Sequence, residues 1–377
     1  MKAAAFDYVK PASIDQVLSL LQERGDDARL LAGGQTLMAT LNMRLSEPRL
    51  VIDITGIAAL RGIGVQGNVL RIGALATHSE IEHSPLVARH APLLKAAAPH
   101  IAHRAIRNSG TWGGSIAYAD PAAEWPTCLL ALGGTVVARG PNGERRIAAD
   151  DFFQGLYATA LEPDEVLVAS ELPLAGADHW FGFQELARRH GDYAIVGMAA
   201  TARRHSGLLR DVRVVLLGVD ATPVRAAAAE AVLEGAAPDA ARVAQAVQAL
   251  RDSIDPLPDL TNTPDTKRHL AGVLLQRPHQ AIGQMVEEKL QATIQHRSLG
   301  QMVVIQHQQQ RLLRIEAQGQ IVEQPVQPFL EGKRLMPLPE PKQAERILAE
   351  PGEELLQAGQ QPLEKTPRIA VTRVQAQ

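Results

Sequence analysis

Two glycine pairs constrain the fold of this chain more than any other feature of its sequence. The first pair lies in LAGGQT at 31–36, after a short apolar segment, and the second in SGTWGGS at 109–115. Adjacent glycines adopt positive φ without steric cost and leave the backbone N–H groups uncovered. Successive N–H groups in such a turn form a concave site for an anion. The sequence therefore predicts two places where the backbone itself approaches a ligand closely.

The residues around the two pairs narrow the class of ligand. Each pair is followed by a hydroxyl residue, Thr36 or Ser115, and neither stretch contains lysine or arginine. A phosphate held by backbone N–H groups needs no lysine, so two such turns suggest a diphosphate gripped from two sides. Neither stretch fits the dinucleotide fingerprint G-x-G-x-x-G or the phosphate loop G-x-x-x-x-G-K-[ST], which disfavours the usual NAD and ATP folds.

Composition limits the partners that the chain can have. The 377 residues are long enough for two or three domains, and the net charge of −3 gives no basic surplus for a nucleic acid. Aromatic residues make up only 3%, which also disfavours base stacking. The N-terminal segment 1–11 is broken by charge and proline, and no apolar run is long enough to span a membrane. A cytoplasmic location is therefore expected.

The single cysteine, Cys128, excludes several kinds of metal site. One thiol cannot form an internal disulfide, a thiolate zinc site or the set of four thiolates that an iron–sulfur cluster normally requires. Any such cluster must lie on another chain. Cys128 is surrounded by apolar residues and is expected to be an inert core thiol. His100 and His103 have helical spacing but no clear third ligand, so no metal site is predicted.

Hydrophobic periodicity and turn residues predict an α+β protein. Residues 14–23 form a helix in this interpretation, residues 28–32 and 50–54 form strands, and residues 37–44 form a helical turn. A second unit follows with strands in 65–73 and a hairpin of Thr135–Arg139 and Glu144–Ile147 around Gly140-Pro141-Asn142-Gly143. Mostly helical segments are predicted at 79–107 and 122–132.

A third unit begins near residue 176. It is predicted to contain three strands, Trp180–Leu186, Ala194–Arg203 and Asp211–Val219, followed by alanine-rich helices at 226–234, 240–251 and 265–290. Beyond residue 291 the chain becomes rich in glutamine and proline, and we interpret 291–377 as a loosely ordered tail. Two short pieces of it, 302–305 and 311–315, could pair as strands.

Several motifs together carry a family resemblance. The segments AGGQTL at 32–37 and LNMR at 41–44, NSGTWGGSIA at 108–117, and FQELARRHGDYA at 183–194 occur in this order. They resemble the FAD-binding medium subunit of the molybdenum hydroxylases, a family that includes xanthine dehydrogenase and carbon monoxide dehydrogenase. The resemblance covers residues 1–290, and Trp112 departs from it because the family usually has Ile, Leu or Val there.

The resemblance implies a specific domain organisation. Residues 1–176 would form a two-subdomain FAD-binding fold of the PCMH/vanillyl-alcohol-oxidase type, with subdomains 1–56 and 57–176. Residues 177–290 would form the family's small α+β flavoprotein C-terminal domain, with a three-stranded antiparallel sheet and helices. The tail 291–377 has no recognised counterpart in the family.

The resemblance also implies which residues bind FAD. The first loop, Ala32–Thr36, and the second loop, Thr111–Ser115, would cradle the diphosphate. Asp120 would contact the ribityl or adenosine part, and Tyr193 would shield or gate one face of the flavin ring. The full set of expected cofactor contacts is Ala32, Gly33, Gly34, Gln35, Thr36, Leu37, Thr111, Gly113, Gly114, Ser115, Ala117, Asp120, Asp192 and Tyr193. Taken alone, the local sequence favours a partly buried Tyr193 after a turn and an Asp120 that begins a helix.

The function implied by the resemblance is electron transfer. A large partner subunit would carry a molybdopterin-type molybdenum cofactor, and a small partner subunit would carry two [2Fe–2S] clusters, with the complex assembled as a dimer of heterotrimers. FAD on this chain would collect electrons and pass them to an external acceptor. Two alternatives stay open from the residues: a self-sufficient FAD-dependent oxidase or reductase acting on a small molecule, and a nucleotide-binding protein without redox activity.

Overall fold

The computed structural model describes residues 2–277 and three short strands in the tail. It begins with a small parallel sheet in the order β1-β3-β2, and two helices accompany the strands. The elements are β1 Asp7–Val9, α1 Ile14–Arg24, β2 Ala28–Leu31, α2 Leu37–Asn42 and β3 Leu50–Asp53. The Ser13 hydroxyl caps α1, and Val17, Leu18 and Leu21 bury its apolar face. The predicted helix and two strands are confirmed; β1 was not predicted.

A five-stranded antiparallel sheet in the order β4-β5-β10-β6-β7 forms the centre of the next unit. Its strands are β4 Ile63–Gln66, β5 Val69–Gly73, β6 Thr135–Gly140, β7 Gly143–Ala148 and β10 Val166–Pro173. The predicted hairpin is present as β6 and β7. The central strand β10 was missed by the sequence analysis because its buried residues run continuously from Val166 to Ser170 instead of alternating with exposed ones.

Helices pack against this sheet and lead to the second glycine loop. They are α3 His78–His83, α4 Pro85–His90, α5 Pro92–Ala97, α6 Arg104–Arg107, α7 Trp112–Tyr118 and α8 Glu124–Ala131. Prolines at the starts of α4 and α5 divide the long helical segment that the periodicity predicted. A short helix α9 and the hairpin of β8 and β9 complete the unit, at Ala149–Phe152, Phe153–Gly155 and Ala158–Thr159.

The C-terminal domain is an antiparallel sheet in the order β11-β12-β13-β14, covered by helices. Its elements are β11 His179–Ala187, β12 Ala194–His205, β13 Leu208–Leu217, β14 Val224–Arg225, α10 Ala227–Leu233 and α11 Ala240–Ser253. The three predicted strands are present, and the two-residue β14 extends the sheet at one edge. The last predicted helix is present over 264–277, and its predicted continuation to 290 lies outside the described residues.

The tail contains a small antiparallel sheet of β15 Val303–Ile305, β16 Arg311–Ile315 and β17 Ile321–Pro325. The predicted pairing between the first two strands is confirmed. Residues 1–293 and 294–377 form separate units. The interpretation of the tail as loosely ordered falls on residues outside the described part of the chain.

A buried hydrogen bond between Trp112 and Ser170 connects α7 to the central strand β10. The indole Nε1 of Trp112 donates to the Ser170 Oγ on β10 at 2.9 Å, and both side chains are fully buried. The Trp112 ring lies 5.4 Å from the ring of Trp125 on α8. The unusual tryptophan therefore fills the core and finds its polar partner in Ser170, which fixes the start of α7 above the sheet.

We expect Ser170→Ala to lower the free energy of unfolding by about 1–3 kcal/mol, because the buried Trp112 N–H loses its acceptor. Chemical denaturation followed by circular dichroism measures the change. Ser19→Ala, at an exposed hydroxyl on α1, is the control and should change stability by no more than about 0.5 kcal/mol. Equal stabilities of the two variants would contradict this account.

Candidate functional site

The two glycine loops touch each other. A Cβ placed on Gly33 would lie 2.2 Å from the carbonyl oxygen of Ser109 and 2.8 Å from the Cα of Gly110. Such distances leave room only for hydrogen, so residue 33 must be glycine for the loops to approach this closely. Gly114 also faces the first loop, since its added Cβ would lie 3.9 Å from the Cβ of Ala32. The two predicted stretches therefore form one site.

The first loop presents a row of free backbone donors. Within the described part of the chain, the N–H groups of Gly33–Leu37 donate no hydrogen bond to a protein acceptor. The turn is held by Gln35, whose Nε2 donates to the Gly33 carbonyl oxygen at 2.9 Å, and by Gly34 at φ +69°. A run of unpaired N–H groups around a glycine turn matches the donor set that phosphate oxygens require.

The second loop differs from the prediction that both turns leave their donors bare. The Gly113 N–H donates to the Ala74 carbonyl at 2.8 Å, and the Gly114 N–H donates to the Thr111 Oγ1 at 3.2 Å. The Ser115 N–H bonds the Thr111 carbonyl at 3.1 Å, as α7 begins. These glycines are needed for packing, because an added Cβ on Gly113 would lie 2.6 Å from that of Ala74. The expectation was wrong for the N–H groups of this loop.

A neutral histidine supports the second loop, and the sequence analysis did not identify it. The backbone N–H of His78 donates to the Gly110 carbonyl at 3.0 Å, and its Nδ1 accepts from the Trp125 Nε1 at 2.8 Å. Burial, together with the charge of Arg107, lowers the pKa of His78 to about 4, so the ring is uncharged at neutral pH. Because Nδ1 accepts, the proton lies on Nε2, the nitrogen nearest the space that a Gly110 Cβ would occupy.

Two exposed tyrosines and one half-buried carboxyl group lie at the end of α7 and on the hairpin of β8 and β9. Ala119 ends α7 at φ +53°, and Asp120 follows it, with Oδ1 accepting from the Ala122 N–H at 2.9 Å. The rings of Tyr118 and Tyr157 lie 4.9 Å apart. Tyr157 was not predicted, since nothing in its local sequence marks the hairpin of β8 and β9 as close to α7.

The turn that carries Asp192 and Tyr193 lies close to Asp120. Gly191, at φ +78°, packs against the carbonyl of Ala102, where an added Cβ would approach to 2.6 Å. Tyr193 is 68% exposed, whereas the local sequence taken alone favoured a partly buried side chain. Desolvation first, and then the negative charge of Asp120, raise the pKa of the Tyr193 hydroxyl. Tyr193 of the C-terminal domain therefore lies within reach of the charge of Asp120 in the FAD-binding domain.

The remaining predicted residues lie in the first loop, on α7 and in the turn before β12. Thr36 precedes α2, Ala117 is exposed on α7, and the Asp192 carboxylate lies 3.4 Å from the Arg189 guanidinium.

Across the residues that the structure describes, no three His, Cys, Asp or Glu side chains are grouped so as to hold a metal ion. None of the helices in this part of the chain is long and apolar enough to cross a membrane.

Two family models match consecutive parts of the chain. The model described as "FAD binding domain in molybdopterin dehydrogenase" matches residues 4–175. The model described as "CO dehydrogenase flavoprotein C-terminal domain" matches residues 181–282.

Curated relatives and solved structures agree with these matches. The nicotine 6-hydroxylase medium subunit of Paenarthrobacter nicotinovorans is 37% identical over 74% of this chain and 97% of its own length. The carbon monoxide dehydrogenase medium chain of Hydrogenophaga pseudoflava is 35% identical over 72% of this chain and 95% of its own. A solved carbon monoxide dehydrogenase from that organism superposes with a TM-score of 0.72 at 38% identity, covering 74% and 96% of the two chains. Quinoline 2-oxidoreductase from Pseudomonas putida 86 superposes with a TM-score of 0.70 at 36% identity, covering 74% of this chain and 96% of that chain.

We expect Gly33→Ala to weaken FAD binding at least tenfold, or by ~1.4 kcal/mol, because the methyl group forces the first loop away from Ser109. Fluorescence titration of the apoprotein with FAD measures the dissociation constant. Gly64→Ala is the matched control, since its Cβ meets no atom within 4 Å and its φ is not positive. Unchanged affinity of Gly33→Ala would show that the contact between the loops is not needed for binding.

Proposed function

Since the chain belongs to the family of FAD-binding medium subunits of the molybdenum hydroxylases, we propose that it relays electrons from [2Fe–2S] clusters on a partner subunit, through FAD, to an external acceptor. The chain is an oxidoreductase flavoprotein subunit, and FAD is its cofactor. The observation that carries the proposal is the contact between Gly33 and Ser109, which joins the free donors of the first loop to the start of α7.

The chemistry of the site fits a dinucleotide. We assign the diphosphate to the free N–H groups of Gly33–Leu37, with Ala32 at the entrance of the loop. Thr111, Gly113, Gly114, Ser115 and Ala117, in α7 and its cap, would form the opposite side of the site. Asp120, Asp192 and Tyr193 would meet the ribityl chain and the flavin ring. When bound, FAD accepts electrons one at a time and releases them in pairs.

The single cysteine of the chain and the names of its relatives support the partners that we propose. Cys128 is the single cysteine and is fully buried, so this chain has no thiolate set for a cluster. The relatives are named as subunits, among them "Nicotine 6-hydroxylase medium subunit" and "Caffeine dehydrogenase subunit beta". We therefore propose a large molybdenum-binding partner and a small [2Fe–2S] partner, assembled as a dimer of heterotrimers. A cytoplasmic location is part of the same proposal.

A tagged chain purified from its native host tests the proposal. We expect it to co-purify with two other chains and with FAD, molybdenum and iron, measured by absorbance and elemental analysis. A complex without molybdenum and iron, or substrate oxidation by this chain alone, would contradict the proposed role and favour a self-sufficient flavin enzyme.

The Gly33→Ala complex tests the direction of electron flow. After chemical reduction and removal of the excess reductant together with the weakly held flavin, its clusters should stay reduced when NAD, a quinone or a cytochrome is added. The wild-type complex and the Gly64→Ala complex should reoxidise with the acceptor that they use. Electron paramagnetic resonance follows the clusters. Equal reoxidation of all three complexes would show that electrons leave without passing through FAD.

A further inference from the structure

Three of the four tyrosines of this chain lie close together, although aromatic residues make up only 3% of its sequence. Tyr118 is the last residue of α7, and Tyr157 lies in the turn between β8 and β9. The ring centroids of this tyrosine pair lie 4.9 Å apart, and the ring planes meet at 49°. Desolvation, the charge of Asp120 and then the tyrosine pair raise the pKa of the Tyr193 hydroxyl, so Tyr193 lies within reach of both rings.

Both rings of the tyrosine pair face solvent, unlike the large aromatic side chains of the core. Tyr118 is 36% exposed and Tyr157 is 51% exposed, whereas Trp112 is fully buried. Leu156, next to Tyr157 in the turn, is also exposed. Contiguous exposed apolar groups on a folded chain mark a surface that binds a ligand or a partner. The tyrosine pair is therefore a candidate binding surface.

The backbone at Tyr157 is held in a conformation that a bulky residue rarely adopts. Tyr157 has φ +55°, in the left-handed region that favours glycine, and it is the second of the two residues that join β8 to β9. Backbone strain of this kind concentrates at ligand-binding sites. Here it accompanies an aromatic ring in contact with Tyr118, whereas a glycine would form the same turn without a ring.

A negative charge acts on both rings of the tyrosine pair. Desolvation first, and then the charge of Asp120, raise the pKa of the hydroxyls of Tyr118 and Tyr157. The faces of aromatic rings are themselves negative, and they attract a cation that lies flat against them. The positive charge of Arg189, in the turn after β11, is paired with the Asp192 carboxylate at 3.4 Å. These features favour a ligand that is flat, aromatic and positively charged.

We propose that the tyrosine pair docks the external electron acceptor of this chain and that this acceptor is a planar aromatic cation. The inference rests on the proposed function and deepens it, since it requires reduced FAD beside Tyr193. Two electrons and one proton pass from the anionic reduced flavin to the docked cation. The cation thereby becomes neutral, and the flavin returns to its oxidised form. The neutral product loses its attraction to Asp120 and to the ring faces, which favours its release.

Binding of two dyes to the FAD-loaded, oxidised chain tests the inference without turnover. Methylene blue is a planar aromatic cation, and dichlorophenolindophenol is a planar aromatic anion at neutral pH. Equilibrium dialysis, read by absorbance in the red where oxidised FAD does not absorb, gives both dissociation constants. We expect the wild type to bind methylene blue about tenfold more tightly than the anion, a ratio within the range that cation–π contacts supply.

Substitutions in the tyrosine pair separate the loss of a ring from the loss of the fold. Tyr157→Gly and Tyr118→Ala should each weaken methylene blue binding about tenfold and leave binding of the anion unchanged. Because φ +55° suits glycine, Tyr157→Gly should unfold thermally like the wild type. Tyr157→Phe keeps the ring and should keep the affinity within about twofold. Ser206→Gly is the matched control, since Ser206 is exposed at φ +51° in another turn, and it should bind both dyes as the wild type does.

Reoxidation of the dithionite-reduced complex decides whether the docked cation is also the acceptor. Stopped-flow absorbance of FAD should show slower reoxidation by methylene blue in Tyr157→Gly than in Ser206→Gly, with equal rates for the anion. Equal affinities of the wild type for the two dyes, unchanged methylene blue binding in both tyrosine variants, or equal reoxidation rates would overturn the inference while leaving the proposed function intact. Methylene blue binding that is lost in the assembled complex would also overturn it, because a partner subunit would then cover the tyrosine pair. A chain that purifies without FAD would instead contradict the proposed function.

Discussion

The contact between the backbone at Gly33 and the backbone at Ser109 is the constraint on which the candidate site depends. It brings a turn from the small parallel sheet against a turn that caps α7, with space only for a hydrogen atom between them. Neither loop could form the site alone, because the first loop contributes free N–H groups and the second loop contributes a rigid packing surface. The second loop is rigid because its backbone N–H groups donate hydrogen bonds to Ala74 and Thr111. The division of work between the loops explains why both carry glycine pairs.

The C-terminal domain is held against the FAD-binding domain by polar contacts that complete the site. The Thr201 hydroxyl on β12 donates to the Ala131 carbonyl at the end of α8 at 2.9 Å, and the Arg213 guanidinium bonds the Leu130 carbonyl at 3.0 Å. Near the site itself, Gly191 packs on Ala102. The contact at Ala102 holds the turn that precedes Tyr193 against the FAD-binding domain. The site is therefore a property of both domains together.

Local chemistry explains which features were predictable from sequence. The hairpin of β6 and β7 and the strands β11 to β13 carry turn residues and apolar patterns that act over a few residues, so they were predicted. The strand β10 was missed because a fully buried strand has no alternation to detect. Likewise, the glycine pairs indicated close approach, but the acceptor of the Gly113 N–H comes from Ala74, which lies far away in sequence. His78 and Tyr157 join the site through tertiary packing alone.

The steric lock at Gly33 also bears on how such a cofactor cradle could be inherited or engineered. A transplanted βα turn that carries only the first loop would bring its free N–H groups into a new scaffold without the second loop that packs against them. A graft of the second loop alone would bring the packing surface without the N–H groups of the first loop. The two segments, distant along the chain, must therefore be exchanged or conserved as one module, and recombination between them would be tolerated only when both halves come from compatible parents.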